Sequence, residues 1–275
     1  MKLLVLGANG MAGHVMVKHF LQNPSYSVHY TTRNRKDVQG LYLDACNEQQ
    51  LESLMEIVSP DITINCIGIL NEDAAKREDD ALIINGLLPH WLRRMAEKNG
   101  GRLIHISTDC VFSGDKGDYQ ENDSPDGISV YAKTKAMGDV RSDLHLTIRT
   151  SIIGPEQREG IGLFHWFMKQ QGAVYGYRKV MWNGVTTIQL AKSIERMIEE
   201  NVTGLYHLVA PRKISKYELL RLMKREFGKT DISIIPLDHP VQDRTLMNTR
   251  TDFLAEVPDY PVMIAEMREW MEGAI

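Results

Sequence analysis

Short apolar runs alternate with amphipathic stretches through the first 150 residues of the chain. The run Lys2–Leu6 is of the kind that forms a strand buried on both faces of a parallel sheet. The stretch after it predicts a helix, with apolar residues at Met11, Val15, Met16, Phe20 and Leu21. Later runs and stripes predict strands at 28–32, 41–43, 62–67, 102–107 and 144–149, and helices at 47–58 and 82–98.

This alternation predicts an α/β fold in which parallel strands are joined by right-handed crossovers. Asn47 and Gln50 have the spacing of a capping box at the start of a helix. Pro89 should kink the helix at 82–98, because proline removes a helix hydrogen bond. A polar, glycine-rich loop is expected at 113–127.

The pattern is looser after Thr150. A charged, mobile loop is expected at 154–162, followed by a short amphipathic stretch at 164–170. Ser215 and Glu218 again have capping-box spacing, at the start of a helix that Gly228 ends. The remaining segments predict helices at 187–200, 217–227 and 261–273, and strands at 204–209 and 232–235.

A glycine motif lies between the first strand and the first helix. Gly7, Gly10 and Gly13 form the spacing G-x-x-G-x-x-G. Glycines there let the backbone approach a pyrophosphate, while the helix N-terminus offers amide donors and the positive end of its dipole. The strand–turn–helix context favours a dinucleotide site over a plain turn, with Gly7, Asn9, Gly10, Met11 and Gly13 as its residues.

We therefore predict a Rossmann-type, doubly wound parallel sheet with a small C-terminal substrate lobe. Residues 1–150 form the dinucleotide-binding domain, and about 185–210 return to it. Residues 151–275 form mostly the substrate-binding lobe, built from about 151–184 and 210–275. That lobe is expected to cover the catalytic face, because ligands bind at the carboxyl ends of the strands in such sheets.

Basic residues follow the second predicted strand. Cofactors without a 2′-phosphate usually meet an acidic residue there. This chain instead offers Arg33, Arg35 and Lys36, with no acid before Asp37. The cluster suits the 2′-phosphate of NADPH, so NADPH is the expected cofactor and NADH the alternative. A solvated basic loop is the structural alternative for Arg33.

Thr108, Tyr131 and Lys135 are the parts of a proton-delivery device for a carbonyl. Tyr131 and Lys135 stand four positions apart and share a face of a helix. A phenol is a poor acid near neutral pH, and a nearby ammonium is expected to lower its pKa. Thr108, at a predicted strand end, would hold the carbonyl oxygen for Tyr131 to protonate.

The order of these motifs resembles one family, the extended short-chain dehydrogenase/reductases. The Ser-Thr-Asp-x-Val-Phe-x-Gly segment at 107–114, Tyr119-x-Glu121, Pro125 and Gly138 complete the match. Within that family the chain is most similar to the dTDP-4-dehydrorhamnose reductase branch. The resemblance implies reduction of a nucleotide-linked 4-keto-6-deoxy sugar for surface polysaccharide synthesis, with Asp44 beside adenine and Cys66, Ile67 and Gly68 along the cofactor.

Substrate contacts are expected from residues 109–110, 152, 165–166 and 244. Arg244 could grip a diphosphate, since its fork of donors matches phosphate, or make a surface ion pair. His165 and Trp166 could stack on a nucleotide base, or Trp166 could belong to an apolar helix face. Asp109 could contact the sugar or cap a turn. Cys110 and Ile152 stand where the resembled reductases carry tyrosine and tryptophan, so the sugar itself stays open.

Alternative functions follow from the same residues. Related dehydratases carry glutamate where this chain has Cys110, which argues against a dehydratase and less strongly against a sugar-nucleotide epimerase. Some relatives of this branch are non-catalytic regulatory subunits. The intact Thr108, Tyr131 and Lys135 argue against that reading, because a binding protein needs no proton donor.

Composition limits the partners. The net charge of −4 does not favour nucleic acid or an anionic membrane surface. No signal peptide or spanning segment is recognised, and three cysteines without C-x-x-C spacing indicate reduced thiols. We therefore expect a cytoplasmic protein with a sugar-nucleotide substrate and no metal site. The sequence leaves the oligomeric state open, with a homodimer as one alternative.

Overall fold

The computed structural model describes residues 1–157, 160 and 162–273. The strands in this part of the chain are β1 (Lys2–Leu6), β2 (Ser27–Thr32), β3 (Leu41–Tyr42), β4 (Ile62–Asn65), β5 (Arg102–Thr108), β6 (Leu146–Thr150), β7 (Ile152–Ile153), β8 (Gly172–Tyr177), β9 (Val180–Trp182), β10 (Val185–Thr186), β11 (Gly204–His207), β12 (Ile214–Ser215), β13 (Ile232–Leu237) and β14 (Gln242–Asp243). The α-helices are α1 (Met11–Leu21), α2 (Glu48–Val58), α3 (Asn71–Lys76), α4 (Glu78–Ala81), α5 (Leu88–Lys98), α6 (Val130–Met137), α7 (Leu163–Lys169), α8 (Thr187–Glu199), α9 (Lys216–Glu226) and α10 (Tyr260–Met271).

A seven-stranded sheet carries the N-terminal part of the fold, in the order β11-β6-β5-β4-β1-β2-β3. The neighbours of β1 are both parallel to it, with Leu3 opposite Val28 on one side and Ile62 on the other. Strand order therefore reverses between β1 and β4, and such reversals create a crevice at the carboxyl ends of the strands. The predicted α/β, Rossmann-type parallel sheet is confirmed.

Apolar side chains on both faces of the sheet form its core. Leu3, Leu4, Val5 and Leu6 are all fully buried, as the unalternated run predicts. One cluster joins β1 to α2 and α5, and it includes Leu4, Leu6, Leu51, Met55, Leu92 and Met95. Each such side chain contributes roughly 1.5–3 kcal/mol through burial.

The helix at 82–98 differs from the prediction. Residues Leu82–Leu87 form a π-helical turn, and α5 begins at Leu88 with Pro89 in its first turn. Proline lacks an N–H group, and the first turn of a helix does not need one. The chain therefore accommodates Pro89 by a wider turn before it, and helical structure begins earlier, with α3 and α4.

Capping explains where two other helices begin. Asn47 accepts the N–H of Gln50 at the start of α2, but the Gln50 side chain accepts the N–H of Asp44 instead of completing the predicted box. Ser215 and Glu218 complete both halves of theirs before α9.

Contacts divide the chain into two compact units. One contains residues 1–112, 124–149 and 201–206, and the other contains 113–123, 150–200 and 207–275. In the second unit β8 pairs in parallel with β13, and β12, β9 and β14 form a second small sheet. Strand β8 was not predicted, because its segment contains glycine at 172 and 176. The expected loop at 154–162 includes Arg158, Glu159 and Ile161, which lie outside the described residues.

Cys46, Cys66 and Cys110 are free thiols. Among residues 1–157, 160 and 162–273, none of the helices combines the length and apolar character needed to cross a bilayer. Within those same ranges, no group of three or more His, Cys, Asp and Glu side chains is arranged to hold a metal ion.

Candidate active site

The glycine turn after β1 is held in a tight, fixed shape. Gly7 has a φ of +84°, in the region that glycine adopts without strain. The N–H of Gly10 donates to the carbonyl of Gly7 at 3.0 Å, and the Gly7 N–H donates to Thr31 Oγ1 at 3.1 Å. A Cβ on Gly13 would lie 2.0 Å from the Gly7 oxygen, so the first turn of α1 packs directly on the strand end.

The N-terminus of α1 offers backbone amides without a competing side chain. Its N-cap, Gly10, makes no side-chain hydrogen bond, and the first turn contains no acidic residue. A helix end of this kind binds anions through its amides and its dipole. The residues present therefore fit the diphosphate of a dinucleotide.

The residues that follow β4 lie beside the glycine turn. A Cβ on Gly7 would lie 2.9 Å from Ile67 Cγ1, while a Cβ on Gly68 would meet only Asn85 Oδ1 within 4 Å, at 3.6 Å. The N–H of Cys66 donates to the carbonyl of Leu6 at 3.1 Å. Burial raises the pKa of the Cys66 thiol to about 12, so this thiol remains protonated at neutral pH.

The loop after β2 presents its basic residues to solvent. Arg33, Arg35 and Lys36 are exposed, and the Arg35 guanidinium lies 3.8 Å from the centre of the Tyr42 ring. Asp44 accepts the N–H of Cys46 at 3.1 Å, which makes it part of a turn. The charges of Arg33 and Asp44 act in opposite directions on the pKa of the Cys46 thiol, which burial raises.

Thr108, Tyr131 and Lys135 are brought together from β5 and α6, and all three are buried. Ser129 caps α6 by accepting the N–H of Ala132 at 3.1 Å. The Thr108 hydroxyl accepts the N–H of Cys110 at 3.1 Å, and its proximity to Tyr131 acts to lower the pKa of the phenol. The tyrosine and the strand-end hydroxyl therefore lie near each other.

The electrostatic expectation for Tyr131 is wrong. Burial, together with the nearby Cys110 and Asp109, raises the pKa of Tyr131 above its ordinary value, and only Thr108 opposes this. Lys135, whose amine donates to the carbonyl of Ile106 at 2.8 Å, is not among the groups that act on this pKa. Desolvation thus dominates and keeps the phenol protonated.

The amine of Lys135 loses its proton at a lower pH than an ordinary lysine does. Burial lowers its pKa to about 8, although Asp139 and Cys66 act in the opposite direction. Its amine lies 3.4 Å from His105 Nε2. A lysine in this environment changes charge close to neutral pH.

The two hydroxyls at the end of β5 have different partners. Ser107 donates to the Asp139 carboxylate, which also accepts from Arg149 Nε at 2.8 Å. This buried ion pair lies in the same unit as Thr108 and occupies the Ser107 hydroxyl. Only Thr108, of the two, has its hydroxyl at Tyr131.

Asn85 and Gly138 position the helices around this site. Asn85 Oδ1 accepts the N–H of Ile69 at 2.9 Å, and its Nδ2 donates to the carbonyl of Ile69 and to Thr134 Oγ1. A Cβ on Gly138 would lie 2.0 Å from the Asn85 carbonyl oxygen. Asn85 is thus structural, and Gly138 allows close approach of α6 to the π-helical turn.

A family model described as the RmlD substrate binding domain matches residues 1–255. The chain belongs to this family. The resemblance predicted from the order of the motifs is therefore confirmed.

Proteins and solved structures similar to this chain carry different names. The dTDP-4-dehydrorhamnose reductase of Aggregatibacter actinomycetemcomitans is 25% identical over 277 residues, which cover 95% of this chain and 87% of that protein. Methionine adenosyltransferase 2 subunit beta of Xenopus tropicalis is 24% identical over 257 residues, 87% of this chain and 76% of that protein. A crystal structure of dTDP-4-dehydrorhamnose reductase from Bacillus anthracis in complex with NADP has a TM-score of 0.83 and 20% identity, and it covers 98% of this chain and 99% of that one.

The substrate candidates are distributed between the two units. Asp109 and Cys110 follow Thr108 in a short 3₁₀ turn, and Asp109 accepts the Thr108 hydroxyl at 3.2 Å. Ile152 is half-buried in β7. Arg244 Nε donates to the carbonyl of Ser113 at 3.3 Å, which fixes it against the loop at 113–123.

Trp166 lines a cavity of about 660 Å³ in the second unit. Trp166 is 39% exposed, whereas its neighbours Phe164 and Phe167 are buried in the core. Trp166 therefore does not belong to the apolar face of α7. The cavity is mainly apolar, and its remaining lining residues are Leu163, Val174, Tyr175, Tyr177, Val180, Lys216 and Leu220.

Sequence reasoning assigned no role in the site to three residues whose partners are distant in the chain. Thr31 Oγ1 accepts the N–H of Gly7 in the glycine turn, and the Asp139 carboxylate accepts the hydroxyl of Ser107. His105 Nε2 lies 3.4 Å from Lys135 Nζ. None belongs to a recognisable motif. The only available signal was the presence of a polar residue in an otherwise apolar strand, as with His105 in β5.

Proposed function

We propose that the protein is an NADPH-dependent reductase of the 4-keto group of a nucleoside-diphosphate 4-keto-6-deoxyhexose. One observation carries this proposal: the buried phenol of Tyr131 lies close enough to the hydroxyl of Thr108 for that hydroxyl to act on its pKa, and Lys135 follows one helical turn later. The order of the glycine motif, the hydroxyl strand end and Tyr-x-x-x-Lys in a member of this family supports the same reaction.

Tyr131 is the proton donor in this mechanism. Its raised pKa keeps the phenol protonated at neutral pH, which a reductase needs in its acid. Thr108 donates a hydrogen bond to the same carbonyl oxygen and orients it. As negative charge develops on that oxygen, both hydroxyl groups stabilise it.

Lys135 binds the cofactor and supplies positive charge near the reaction. The Gly7–Gly13 turn and the N-terminus of α1 hold the diphosphate, and Cys66, Ile67 and Gly68 line its path. NADPH, when bound, supplies the hydride. The ammonium form of Lys135, which predominates below about pH 8, is the form that donates to the cofactor in this proposal.

Arg33 accounts for the preference for NADPH over NADH. It is exposed at the end of β2, with Arg35 and Lys36 close in the chain. A guanidinium can bind a phosphate through two parallel hydrogen bonds. Asp44 serves the adenine side of the same site in this proposal.

The second unit supplies the contacts for the nucleotide. The cavity at Trp166 has the aromatic and apolar lining that suits a planar base. His165 precedes Trp166 on α7 and is half-buried. Arg244 is the proposed partner of the diphosphate, and Ile152, Asp109 and Cys110 are proposed to face the sugar.

The dehydratase alternative lacks its base. A 4,6-dehydratase of the related type needs a carboxylate where this chain has Cys110. A thiol does not replace that carboxylate efficiently, because cysteine in general has a pKa of about 8.5 and a carboxylic acid one of about 4. An epimerase on the same fold is the remaining enzymatic alternative, and it differs in returning the hydride to the sugar.

A second candidate is a regulatory subunit, favoured by the relatives named methionine adenosyltransferase 2 subunit beta. In this alternative the dinucleotide site stabilises the fold, and binding to a methionine adenosyltransferase catalytic chain is the function. The buried Thr108–Tyr131 pair argues for catalysis, since a binding subunit gains nothing from a desolvated acid.

The decisive experiment follows NADPH absorbance with dTDP- and UDP-linked 4-keto-6-deoxyhexoses. Oxidation of NADPH with formation of the 4-hydroxy sugar supports the reductase. Interconversion of 4-hydroxy epimers without net loss of NADPH would support the epimerase. No turnover of any sugar, together with saturable binding to a methionine adenosyltransferase chain, would favour the regulatory subunit.

A further inference from the structure

A buried asparagine and a buried histidine lie behind Lys135. Asn65, at the end of β4, and His105, within β5, are both fully buried. Asn65 Nδ2 lies 3.1 Å from His105 Nδ1, and His105 Nε2 lies 3.4 Å from Lys135 Nζ. The three side chains thus form one continuous path from β4 to α6.

The orientation of the Asn65 amide is fixed by the backbone. Its Oδ1 accepts the N–H of Ile67 at 3.1 Å, so its amino group must be the end that faces His105. An amide nitrogen only donates hydrogen bonds, and Nδ1 of His105 must therefore accept. The proton of the neutral imidazole then lies on Nε2.

His105 is also held in its neutral form. Burial, with the nearby positive charge of Lys135, keeps the pKa of His105 well below its ordinary value. A neutral ring with its proton on Nε2 directs that N–H at the nitrogen of Lys135. This arrangement opposes an ammonium, which has no lone pair to accept, and favours the free amine, which has one.

We propose that Asn65 and His105 are positioning residues for Lys135: Asn65 fixes the Nε2–H tautomer of His105, and this N–H faces the lysine nitrogen and favours its uncharged form. Lys135 then loses its proton close to neutral pH instead of acting as a permanent cation. The consequence for catalysis rests on the proposed function, whereas the tautomer and the charge of the amine do not.

Other groups around Lys135 act against this effect or lie in solvent. Asp139, just after α6, and Cys66, just after β4, both favour the charged amine. Asp109 and Cys110 act on Tyr131, one turn earlier on α6. Glu72, Asp73 and Lys76 of α3, which packs against α6, are exposed. Burial lowers the pKa of Lys135, and among these groups His105 is the one whose contact adds to that effect.

Two NMR measurements on the wild-type protein test the proposal without any substrate. Long-range proton–nitrogen spectra of the imidazoles should give His105 a protonated Nε2 and an unprotonated Nδ1 from pH 6 to 9. Lysine ¹³Cε spectra should give Lys135 a midpoint near pH 8. Protonated Nδ1 on His105, or a Lys135 midpoint near the ordinary value of about 10.4, would overturn the proposal.

A matched pair of variants distinguishes a positioning role of His105 from a general role in the stability of the protein. His105→Asn keeps a polar group at the position of Nδ1 but cannot reach Lys135, so the lysine midpoint should rise by about one pH unit or more. His145→Asn alters another buried histidine, which accepts the N–H of Leu103 and has no contact with Lys135, and should leave the midpoint unchanged. An equal midpoint in His105→Asn and wild type would refute the role of His105.

The activity profile keeps this inference distinct from the proposed function. Turnover that needs the ammonium should fall as the pH rises through about 8, and in His105→Asn this fall should move to higher pH. A lower rate with an unshifted profile would show a structural role only and overturn the proposal. The expected tautomer and midpoint in a protein without any ketone reduction would support His105 and reject the reductase.

Discussion

The carbonyl oxygen of Gly7 lies 2.0 Å from the position that a Cβ on Gly13 would occupy. The contact involves backbone atoms of β1's end and of the first turn of α1, and neither can rotate away. The glycine turn is therefore a steric requirement of the fold as well as a proposed phosphate site. Gly10 differs, because a Cβ there would lie 3.4 Å from the same oxygen.

Gly13→Ala should be strongly destabilising, and Gly10→Ala should be tolerated by the fold. Overpacking of a rigid contact costs typically ~1–3 kcal/mol of unfolding free energy. Urea unfolding of both variants measures this difference. Equal stability of the two variants would contradict the close approach of helix and strand.

Tyr131→Phe should remove the acid and keep the ring packing. General acid catalysis contributes ~10²–10⁴-fold, so turnover should fall within that range while NADPH affinity stays constant. Steady-state kinetics and fluorescence titration with NADPH test the two halves separately. Retention of most of the activity would exclude Tyr131 as the proton donor.

The free energy of unfolding should depend on pH through the titration of Lys135. Its pKa is lowered from 10.5 to about 8 in the folded chain, so between these values the unfolded chain binds the proton more tightly. Stability therefore rises with pH across this window, and below it Lys135 adds no pH dependence. The free energy of unfolding should gain on the order of 1–2 kcal/mol between pH 8 and 10.

Lys135→Met removes this titration and provides the comparison. Denaturant unfolding at pH 7.5, 9 and 10 should show the wild type gaining stability relative to Lys135→Met as the pH rises. Lys133→Met, at an exposed position of the same helix, should behave like the wild type. A pH-independent difference between wild type and Lys135→Met would mean that Lys135 titrates normally.

Arg33→Ala should weaken NADPH binding and leave NADH binding nearly unchanged. A charge-assisted hydrogen bond contributes roughly 1.5–3 kcal/mol, which corresponds to about ten- to a hundredfold in Kd. Calorimetric titration with both cofactors gives the ratio directly. Equal losses for the two cofactors would remove the assignment of Arg33 to the 2′-phosphate.

Trp166→Ala should raise KM for the sugar nucleotide. Stacking of a base on an aromatic ring contributes roughly 1–3 kcal/mol, or about five- to a hundredfold. Leu237→Ala changes an exposed apolar residue of β13 outside the cavity lining and should have no effect. Comparable kcat/KM for the free and the nucleotide-linked keto sugar would exclude a nucleotide site at Trp166.

The sequence by itself determined the sheet and the motif chemistry, because both are encoded locally. The unalternated run Lys2–Leu6 requires burial on both faces, and Gly7, Gly10 and Gly13 follow it directly. The spacing of Tyr131 and Lys135 on a helix fixes their common face regardless of the rest of the fold. Helix starts at Asn47 and Ser215 were predictable for the same reason.

Only the tertiary structure determines the charge states of Tyr131 and Lys135. It also determines which of the two hydroxyls at the end of β5, Ser107 or Thr108, lies near Tyr131. The pKa of Tyr131 is raised because burial outweighs the opposing effect of Thr108, and burial is a property of the whole fold. Ser107 is committed to Asp139, 32 positions away, which leaves Thr108 for Tyr131. His105 meets Lys135 across 30 positions, and no local pattern encodes a contact between side chains so far apart in the chain.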